Sequence, residues 1–167
     1  MIAAHERTIV RAIEFSDQRY AQELILSGLQ EHWGFKDASK NRDWADICRS
    51  YADATFLVAS EGDRIVGTGA LKLRPGVSGV AEVVRMSVAA DKRRKGIGRM
   101  ILRELLGIAE SLGVQTVVLE TTETWHEVIR FYLAEGFTIT HYACGEVHFA
   151  LEIAGRTSAS KVVQTGR

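Results

Sequence analysis

The chain has few cysteines, no long apolar run and no excess of charge of either sign. Among its 167 residues, Cys48 and Cys144 are the cysteines, and they lie far apart and outside any CxxC pair. They predict free thiols in a reducing compartment, and we expect a cytoplasmic protein. No apolar stretch approaches the length of a membrane span, and residues 1–12 lack the apolar core of a signal peptide. We therefore expect no association with a membrane.

The charges balance, with 21 Lys and Arg against 21 Asp and Glu. This balance excludes a global electrostatic attraction for nucleic acid, so we expect no nucleic-acid partner. The five histidines show no metal-ligand spacing, and His141 and His148 are the closest pair; no metal is expected. The length suits one domain better than two. We predict a domain over residues 1–153 and a small, polar tail over 154–167, which is expected to be mobile.

The most informative stretch is residues 93–98, with the sequence Arg-Arg-Lys-Gly-Ile-Gly. It lies between a strand-like run, 83–88, and a long amphipathic segment, 97–112. Gly96 and Gly98 let the backbone approach a ligand closely, and the helix that follows directs unpaired N–H groups and its positive dipole end at the turn. Four consecutive cations, 92–95, add charge. The combination predicts a site for a phosphorylated ligand.

Two other glycine-rich motifs fit this stretch poorly. A P-loop ends in Gly-Lys-Ser/Thr, whereas Gly98 is followed by Arg99 and Met100. The dinucleotide fingerprint needs a third small residue where this chain has Ile101, although Glu120 stands at a suitable distance for the acidic partner. The cations favour a ligand with several phosphates and no metal to neutralise them.

Hydrophobic periodicity predicts alternating strands and helices, with hairpins early and a βαβ unit late, which is typical of an α+β fold. The predicted strands cover 8–15, 55–60, 64–73, 81–88, 114–120, 137–142 and 146–152. The predicted helices cover about 16–29, 42–51, 97–112 and 124–135. The run 117–119 does not alternate, which predicts a strand buried on both faces. Thr124 and Glu127 predict a capping box at the last helix.

Two motifs resemble the GNAT superfamily of acetyl-CoA-dependent N-acetyltransferases. Arg93-x-x-Gly96-x-Gly98 resembles its Gln/Arg-x-x-Gly-x-Gly/Ala signature, and residues 130–137 resemble its helix ending in Tyr-x-x-x-Gly-Phe. One helix, one strand and a short loop separate the motifs, as in the family. The resemblance covers roughly residues 8–153. It implies the GNAT, or acyl-CoA N-acyltransferase, fold: a mixed, mostly antiparallel sheet with a splayed central strand pair and flanking helices.

The resemblance also implies acetyl-CoA as co-substrate and a set of residues that bind it. Backbone groups of the strand before the signature would meet the pantetheine amides, and the amide of Met86 would polarise the acetyl carbonyl. The turn would wrap the pyrophosphate, although a solvated basic turn is the alternative. The expected cofactor-binding residues are Met86, Ser87, Val88, Arg93, Arg94, Lys95, Gly96, Ile97, Gly98 and Arg99.

Acetylation of an amine needs a base, because an alkylamine with a pKa near ~10.4 is protonated at neutral pH. By its position before the signature, Glu82 resembles a family glutamate with that role; the alternative is a solvent-facing side chain at a strand end. Tyr132 matches the family tyrosine that protonates the departing thiolate, the alternative being an aromatic packed beside Phe131. Glu82 and Tyr132 are the two predicted catalytic residues.

The sequence indicates less clearly which residues would bind the acceptor amine. Trp125 stands where many family members carry an asparagine that contacts the pantetheine, and it either lines the acceptor pocket or packs at a helix start. The segment after the first helix offers acids and aromatics that suit a cationic amine, or it is simply a surface loop. Its residues of interest are Glu31, His32, Trp33, Asp37, Asp43 and Trp44.

The leading functional hypothesis is an N-acetyltransferase that moves an acetyl group from acetyl-CoA to a primary amine of a small molecule, peptide or protein. The amine would attack acetyl-CoA directly in a ternary complex. The protein is expected to be a monomer or a homodimer. A non-catalytic acyl-CoA-binding sensor or partner-binding module is the alternative, and the presence of both Glu82 and Tyr132 disfavours it. A nucleotide-binding domain of another fold is disfavoured by the motif mismatches.

Overall fold

A seven-stranded sheet runs through the described part of the chain, residues 7–33 and 46–153 of this computed structural model. Its order is β1-β2-β3-β4-β5-β7-β6, and all neighbours are antiparallel except β4 and β5. The strands are β1 Ile9–Ala12, β2 Thr55–Glu61, β3 Arg64–Leu73, β4 Val80–Val88, β5 Thr116–Thr122, β6 Thr138–Ala143 and β7 Glu146–Glu152. The mixed, mostly antiparallel sheet confirms the predicted α+β class.

Helices cover both faces of this sheet and create two apolar cores. The helices are α1 Gln18–Trp33, α2 Ile47–Ser50, α3 Ile97–Ser111 and α4 His126–Ala134. The larger core joins α3 and α4 to one face of strands β2–β5 and β7, and the smaller core joins α1 and α2 to the opposite face of β2, β3 and β4. No helix in the described residues is long and apolar enough to cross a membrane.

Strands β4 and β5 separate part of the way along their length. Their parallel pairing joins Val80, Ala81 and Glu82 to residues 116–118. Beyond Glu82 the described residues contain no pairing between the two strands, although β4 continues to Val88 and β5 to Thr122. One edge of β4 is therefore open over its second half, which confirms the splayed central pair.

A β-bulge marks the open half of β4. Ser87 pairs with Thr68 and Val84 with Ala70, so Arg85 and Met86 together face one residue of β3. Arg85 adopts a φ of 57°, in the left-handed region that non-glycine residues rarely occupy. The buried Thr68 hydroxyl donates to the Arg85 carbonyl at 2.8 Å, and this bond holds the bulge in place.

Helix α3 lies very close to β3 because two glycines leave room for it. A Cβ on Gly67 would stand 2.7 Å from Cδ1 of Ile101, and one on Gly69 would stand 2.6 Å from Cγ2 of the same residue. Ile101 is fully buried. Any side chain at these glycines would have to displace the buried Ile101 side chain. The two glycines therefore allow α3 to pack closely on β3 through Ile101.

The start of the chain differs from the prediction. Strand β1 ends at Ala12, and residues 15–17 form a single 3₁₀ turn that leaves Phe15 80% exposed. Asp17 accepts the Glu14 N–H at 2.8 Å and forms a 2.6 Å ion pair with Arg11. These bonds end the strand three residues before the predicted boundary at 15.

Two further local predictions are wrong. Strand β5 alternates, with Val117, Leu119 and Thr121 buried on one face and Glu120 exposed on the other, because α3 and α4 cover one face of it. The capping box does not form either: Trp125 is the N-cap of α4 and makes no side-chain cap bond. Glu127 instead pairs with Arg94. The predicted short helix is observed from Ile47 onward, and positions 42–45 lie outside the described residues.

Candidate active site

A cleft of about 910 Å³ lies where β4 and β5 separate. The open half of β4 and residues 120–122 of β5 form its sides, and the turn before α3, helix α4 and part of α1 enclose it. Both predicted catalytic residues line the cleft, and so does every predicted cofactor-binding residue except Lys95. The residues in question are Glu82, Tyr132, Met86, Ser87, Val88, Arg93, Arg94, Gly96, Ile97, Gly98 and Arg99. The structure thus brings the predicted site together.

One end of the cleft is built from backbone at the start of α3, and we call it the cofactor end. Gly96 is the N-cap, with a φ of 83°, and it offers no side chain to the first turn. The Met100 N–H bonds to the Gly96 carbonyl at 2.9 Å, while the earlier amides of the helix have no side-chain cap. Those amides and the helix dipole face the cleft and can receive an anion.

Gly96 and Gly98 contribute differently to this turn. A Cβ on Gly96 would meet nothing within 4 Å, but its positive φ would strain any other residue. Gly98 has no positive φ, and a Cβ there would be 3.6 Å from Val88 and 3.7 Å from Phe131, which is ordinary contact. The protein can therefore accommodate a side chain at Gly98, and only a ligand on the cleft side would exclude it.

Arg93 connects the turn to two other elements. Its Nε donates to the Val88 carbonyl at 3.2 Å, at the end of β4. Its Nη2 forms a 2.7 Å ion pair with Glu31 in the last turn of α1, and both side chains are 40% exposed. The guanidinium is therefore held at the edge of the cleft, with a carboxylate already beside it.

The other cations of the turn also have carboxylate partners, which the sequence analysis did not anticipate. The pairs are Lys92 with Glu61, Arg94 with Glu127, and Arg99 with Glu135. Among described residues, Lys95 makes no ion pair. The expected surplus of positive charge is thus largely offset by acids from distant parts of the chain. A phosphate must compete with these carboxylates for the side chains, but it meets no competing side chain at the helix amides.

Tyr132 is held by aromatic packing in the cleft wall. It is 5% exposed, and its ring contacts those of Phe131, Phe137 and Phe149 at centroid distances of 5.1, 5.7 and 5.8 Å. Burial raises the pKa of its hydroxyl well above the usual value of 10. The phenol therefore stays protonated at all physiological pH values. The ring is packed beside Phe131, as the structural alternative predicted, and it also lines the cleft, as a role in proton transfer requires.

Glu82 lies at the base of the split between the strands. It pairs with Lys72 of β3 on one side and with Val118 of β5 on the other, and this second pair is the last before β4 and β5 separate. Its side chain is 27% exposed and 4.0 Å from Arg74. The carboxylate is thus partly shielded and lines the cleft, and it is not simply solvent-facing at a strand end.

The other end of the cleft, which we call the acceptor end, contains polar residues that the sequence analysis missed. Lys72 lies with Nζ 4.4 Å from the Tyr51 ring centroid, and Arg85 donates from Nε to the Tyr51 hydroxyl at 3.2 Å. Glu120 and Glu146 also line the cleft. Glu120 was considered above only as the acidic partner of a dinucleotide fingerprint, although a charged residue directly after the apolar run 117–119 could have indicated a lining residue.

Trp125 lines the cleft as the N-cap of α4, which favours the pocket-lining alternative for this residue. Of the segment proposed to cover the acceptor, Glu31 instead pairs with the cofactor-end residue Arg93. Asp37, Asp43 and Trp44 lie outside the described residues, as do the side chains of His32 and Trp33. No group of three His, Cys, Asp or Glu side chains in the described ranges is arranged to hold a metal ion.

The model of the acetyltransferase (GNAT) family matches residues 17–137 of this chain. Among curated proteins, the rat protein N-acetyltransferase 8F1 is 36% identical over 103 residues, which cover 59% of this chain and 47% of that protein. The mouse protein described as probable N-acetyltransferase family 8 member 5 is 36% identical over 125 residues, covering 70% of this chain and 55% of its own length. The chain thus spans about half the length of these relatives.

Solved structures share the fold at low sequence identity. A GNAT-family acetyltransferase from Staphylococcus aureus Mu50 superposes with a TM-score of 0.78 at 19% identity, covering 87% of this chain and 99% of that one. The PaiA N-acetyltransferase from Thermoplasma acidophilum, solved in complex with coenzyme A, gives a TM-score of 0.75 at 18% identity, with the same two coverages of 87% and 99%.

Proposed function

The chain belongs to the GNAT family of acetyltransferases, and from that premise we propose that it transfers an acetyl group from acetyl-CoA to a primary amine. The acceptor is a small molecule, a peptide or a protein, and transfer occurs by direct attack in a ternary complex. The coenzyme A bound to the PaiA structure and the names of the curated N-acetyltransferases support this activity.

One observation carries the proposal: the open edge of β4, the uncapped start of α3 and the buried Tyr132 all border one continuous cleft. An acyl-CoA has parts that match each of these features. Its pyrophosphate suits the helix amides at Gly96, Ile97, Gly98 and Arg99. Its pantetheine amides suit the free edge of β4 at Met86, Ser87 and Val88, in the way that a peptide adds to a sheet edge.

The side chains supply proton transfer at the two ends of the reaction. Glu82 takes a proton from the acceptor ammonium, directly or through water. The free amine nitrogen then attacks the thioester carbon, and the N–C bond forms as the C–S bond breaks. The amide of Met86 donates to the acetyl oxygen as negative charge develops there. The departing thiolate takes the Tyr132 proton, which burial keeps in place until that moment. The second N–H proton lost by the attacking nitrogen then restores the phenol, and the proton held by Glu82 is the one released.

Binding and turnover test the proposal separately. Coenzyme A and acetyl-CoA are expected to raise the melting temperature, because binding to the native state alone stabilises it by about 2.7 kcal/mol at a hundredfold excess over Kd. NAD and ATP at the same concentrations serve as controls. Stabilisation by NAD or ATP but not by acetyl-CoA would overturn the proposal.

Turnover is measured as free thiol release from acetyl-CoA with a panel of amines: spermidine, tyramine, a peptide with a free N-terminus and an N-terminally blocked peptide containing lysine. Mass spectrometry of the acceptor identifies an amide product. Binding of acetyl-CoA with no product from any amine would instead support the acyl-CoA-binding module. The cytoplasmic location, the monomeric or homodimeric state and the limits of the domain at 1–153 stay predictions.

A further inference from the structure

The cations at the two ends of the cleft differ in their partners. At the cofactor end, Arg93, Arg94 and Arg99 each form an ion pair with a glutamate. At the acceptor end, the half-buried Lys72 forms no ion pair with any described residue and lies instead with Nζ 4.4 Å from the Tyr51 ring centroid. Because a buried charge is costly without a counter-charge, a half-buried ammonium of this kind suits a site that receives an anion.

The acid that faces Lys72 across the sheet is Glu82, and the two side chains do not form an ion pair. Lys72 and Glu82 are directly opposite each other in β3 and β4, so they lie on one face of the sheet with Cβ atoms about 4.5–5.5 Å apart. The carboxylate of Glu82 is 4.0 Å from Arg74, while the ammonium of Lys72 lies over Tyr51. Both side chains line the cleft. The cleft therefore presents an acid and a cation as close neighbours, without direct contact between them.

Tyr51 fixes the position of Lys72. The Tyr51 side chain is 5% exposed and belongs to the smaller core, where its ring meets that of Phe56 edge to face at a centroid distance of 5.0 Å. A cation over the face of a tyrosine ring is attracted by the ring quadrupole. The flexible lysine stem is thus held in one place before a ligand arrives, which reduces the entropy lost on binding.

Arg85 places a second positive charge beside the same ring. Its Nε donates to the Tyr51 hydroxyl at 3.2 Å. Val84 packs against the smaller core and Arg85 contacts Tyr51 of that core, so two consecutive residues of β4 point to one face of the sheet. The bulge at Arg85 produces this change, and the Thr68 hydroxyl holds it in place. The fold therefore directs Arg85 toward the acceptor end.

We propose that the acceptor is an α-amino acid, whose ammonium is bound at Glu82 and whose carboxylate is bound at Lys72, beside Arg85. This assignment rests on the proposed function, in which Glu82 takes a proton from the acceptor ammonium. The two charged groups of an α-amino acid are attached to one carbon, so they need an acid and a cation that are neighbours and are not paired with each other. Glu82 and Lys72 meet this condition.

A polyamine is the competing acceptor, because Glu120 and Glu146 also line the cleft and would attract a second ammonium. The Glu120 side chain is 54% exposed, so solvent screens its charge. A polyamine would also leave the Lys72 ammonium without a counter-charge. The described contacts therefore favour the amino acid.

Matched acceptors measure the contribution of the carboxylate in the full chain. Alanine, leucine and phenylalanine are compared with their carboxamides and with ethylamine, isopentylamine and phenethylamine. We expect kcat/KM for at least one free amino acid to exceed that of both analogues by about tenfold or more, since hydrogen bonds to charged groups contribute on that order. The amide is a stringent comparison: its amine has a pKa of about 7.7–8.0, and a carboxylate in its place stabilises the ammonium. More free amine is therefore available in the amide at neutral pH.

Substitutions at Lys72 test which residue binds the carboxylate. Lys72→Gln is expected to lower kcat/KM for the free amino acid about tenfold more than for its amide. Lys72→Arg keeps the charge and should keep most of the preference. Arg74→Gln is the matched control, because it removes a cation 4.0 Å from Glu82 that is outside the cleft lining; its preference should equal that of the parent. The Kd of coenzyme A should be the same in all four proteins.

The outcomes separate this proposal from the proposed function. If no free amino acid is a better acceptor than its amide, or if spermidine is turned over faster than every amino acid, the assignment is overturned while acetyl transfer stands. A preference that survives in Lys72→Gln would also overturn it. So would an equal loss with acid and amide, which would show that Lys72 only supports Tyr51. A parent that binds coenzyme A but acetylates no amine would overturn both proposals.

Discussion

One end of the cleft is built mainly from backbone groups, and the other end is built from side chains. The cofactor end uses mainly backbone: helix amides, one edge of β4 and a glycine with a φ of 83°. It is contained in one continuous stretch, residues 86–99. The acceptor end uses side chains from β3, β4 and the end of α2, namely Lys72, Arg85 and Tyr51. The first end suits a ligand of fixed shape, and the second can change one residue at a time without disturbing the fold.

Tyr132→Phe is expected to have the largest effect, because the proposed mechanism assigns to Tyr132 the proton transfer to the departing thiolate. The ring keeps its packing against three phenylalanines and loses only its hydroxyl. We expect kcat to fall roughly a hundredfold or more, with acetyl-CoA affinity nearly unchanged. Rapid-mixing measurements of single turnovers, together with calorimetric titration of coenzyme A, provide the check. Full single-turnover rates in the variant would remove Tyr132 from the mechanism.

Substitutions of Gly96 and Gly98 test whether backbone amides bind the ligand at the cofactor end. Gly98→Ala should leave the melting temperature of the free protein unchanged, because the added Cβ meets only ordinary contacts. It should weaken coenzyme A binding by at least about tenfold, or ~1.4 kcal/mol, by standing where the ligand approaches. Gly96→Ala, by contrast, should lower the stability of the free protein by roughly 1 kcal/mol through its positive φ.

Thermal melts and calorimetry with coenzyme A distinguish the two variants. Normal coenzyme A affinity in Gly98→Ala would mean that the pyrophosphate is held elsewhere, and the contrast between the two ends of the cleft would then be lost.

The pair of Arg93 and Glu31 tests how much side-chain charge contributes at the same end. Arg93→Ala is expected to weaken coenzyme A binding several-fold and to make it less sensitive to salt. Glu31→Gln should instead strengthen coenzyme A binding by about twofold, since the carboxylate no longer competes for the Arg93 guanidinium. Titrations at two salt concentrations measure both effects. Weaker binding in Glu31→Gln would show that the acid positions Arg93 instead of competing with the ligand.

An ion pair remote from both ends provides a reference for these charge effects. The Arg11 guanidinium, through its hydrogen bonds to Asp17, holds the pKa of that carboxyl below its usual value. Its contribution to stability is therefore complete above the unfolded pKa, near ~3.9, and is lost as pH falls through the folded value. Asp17→Asn should destabilise the protein by roughly 1 kcal/mol at pH 7 and by less at pH 3.

Chemical denaturation at the two pH values measures this difference, and catalysis with acetyl-CoA should be unaffected at pH 7. An equal loss of stability at both pH values would show that the Glu14 N–H bond, and not the charge pair, is the important contact of Asp17.

The difference between the ends also explains what the sequence could predict. The glycine turn, the helix start at Ile97 and the Tyr132 helix are local patterns, and the structure contains all of them. The carboxylates of Glu31, Glu61, Glu127 and Glu135 are far from the cations in sequence and lie beside them only in the folded structure, so no local pattern predicts these pairs.

Predictions from local sequence patterns were wrong where a tertiary contact determined the position of the side chain. Glu127 fits a capping box, but the distant Arg94 takes its carboxylate. The apolar run of 117–119 suggests burial on both faces, but helices cover only one face of β5 and leave Val118 partly exposed on the other. Glu120 and His148 are far apart in sequence and adjacent only through the register of β5 and β7.

The contact of α3 with Gly67 and Gly69 has a consequence for how the affinity of the cofactor end can change. Ile101 of this helix packs directly against the glycine main chain of β3, so the position of the amide-bearing end depends on a contact away from the amides themselves. One added methyl group at Gly67 would press on Ile101 and act through it on the helix that carries the amide donors. We therefore expect that coenzyme A affinity can be adjusted from beneath the helix, without a substitution in its first turn.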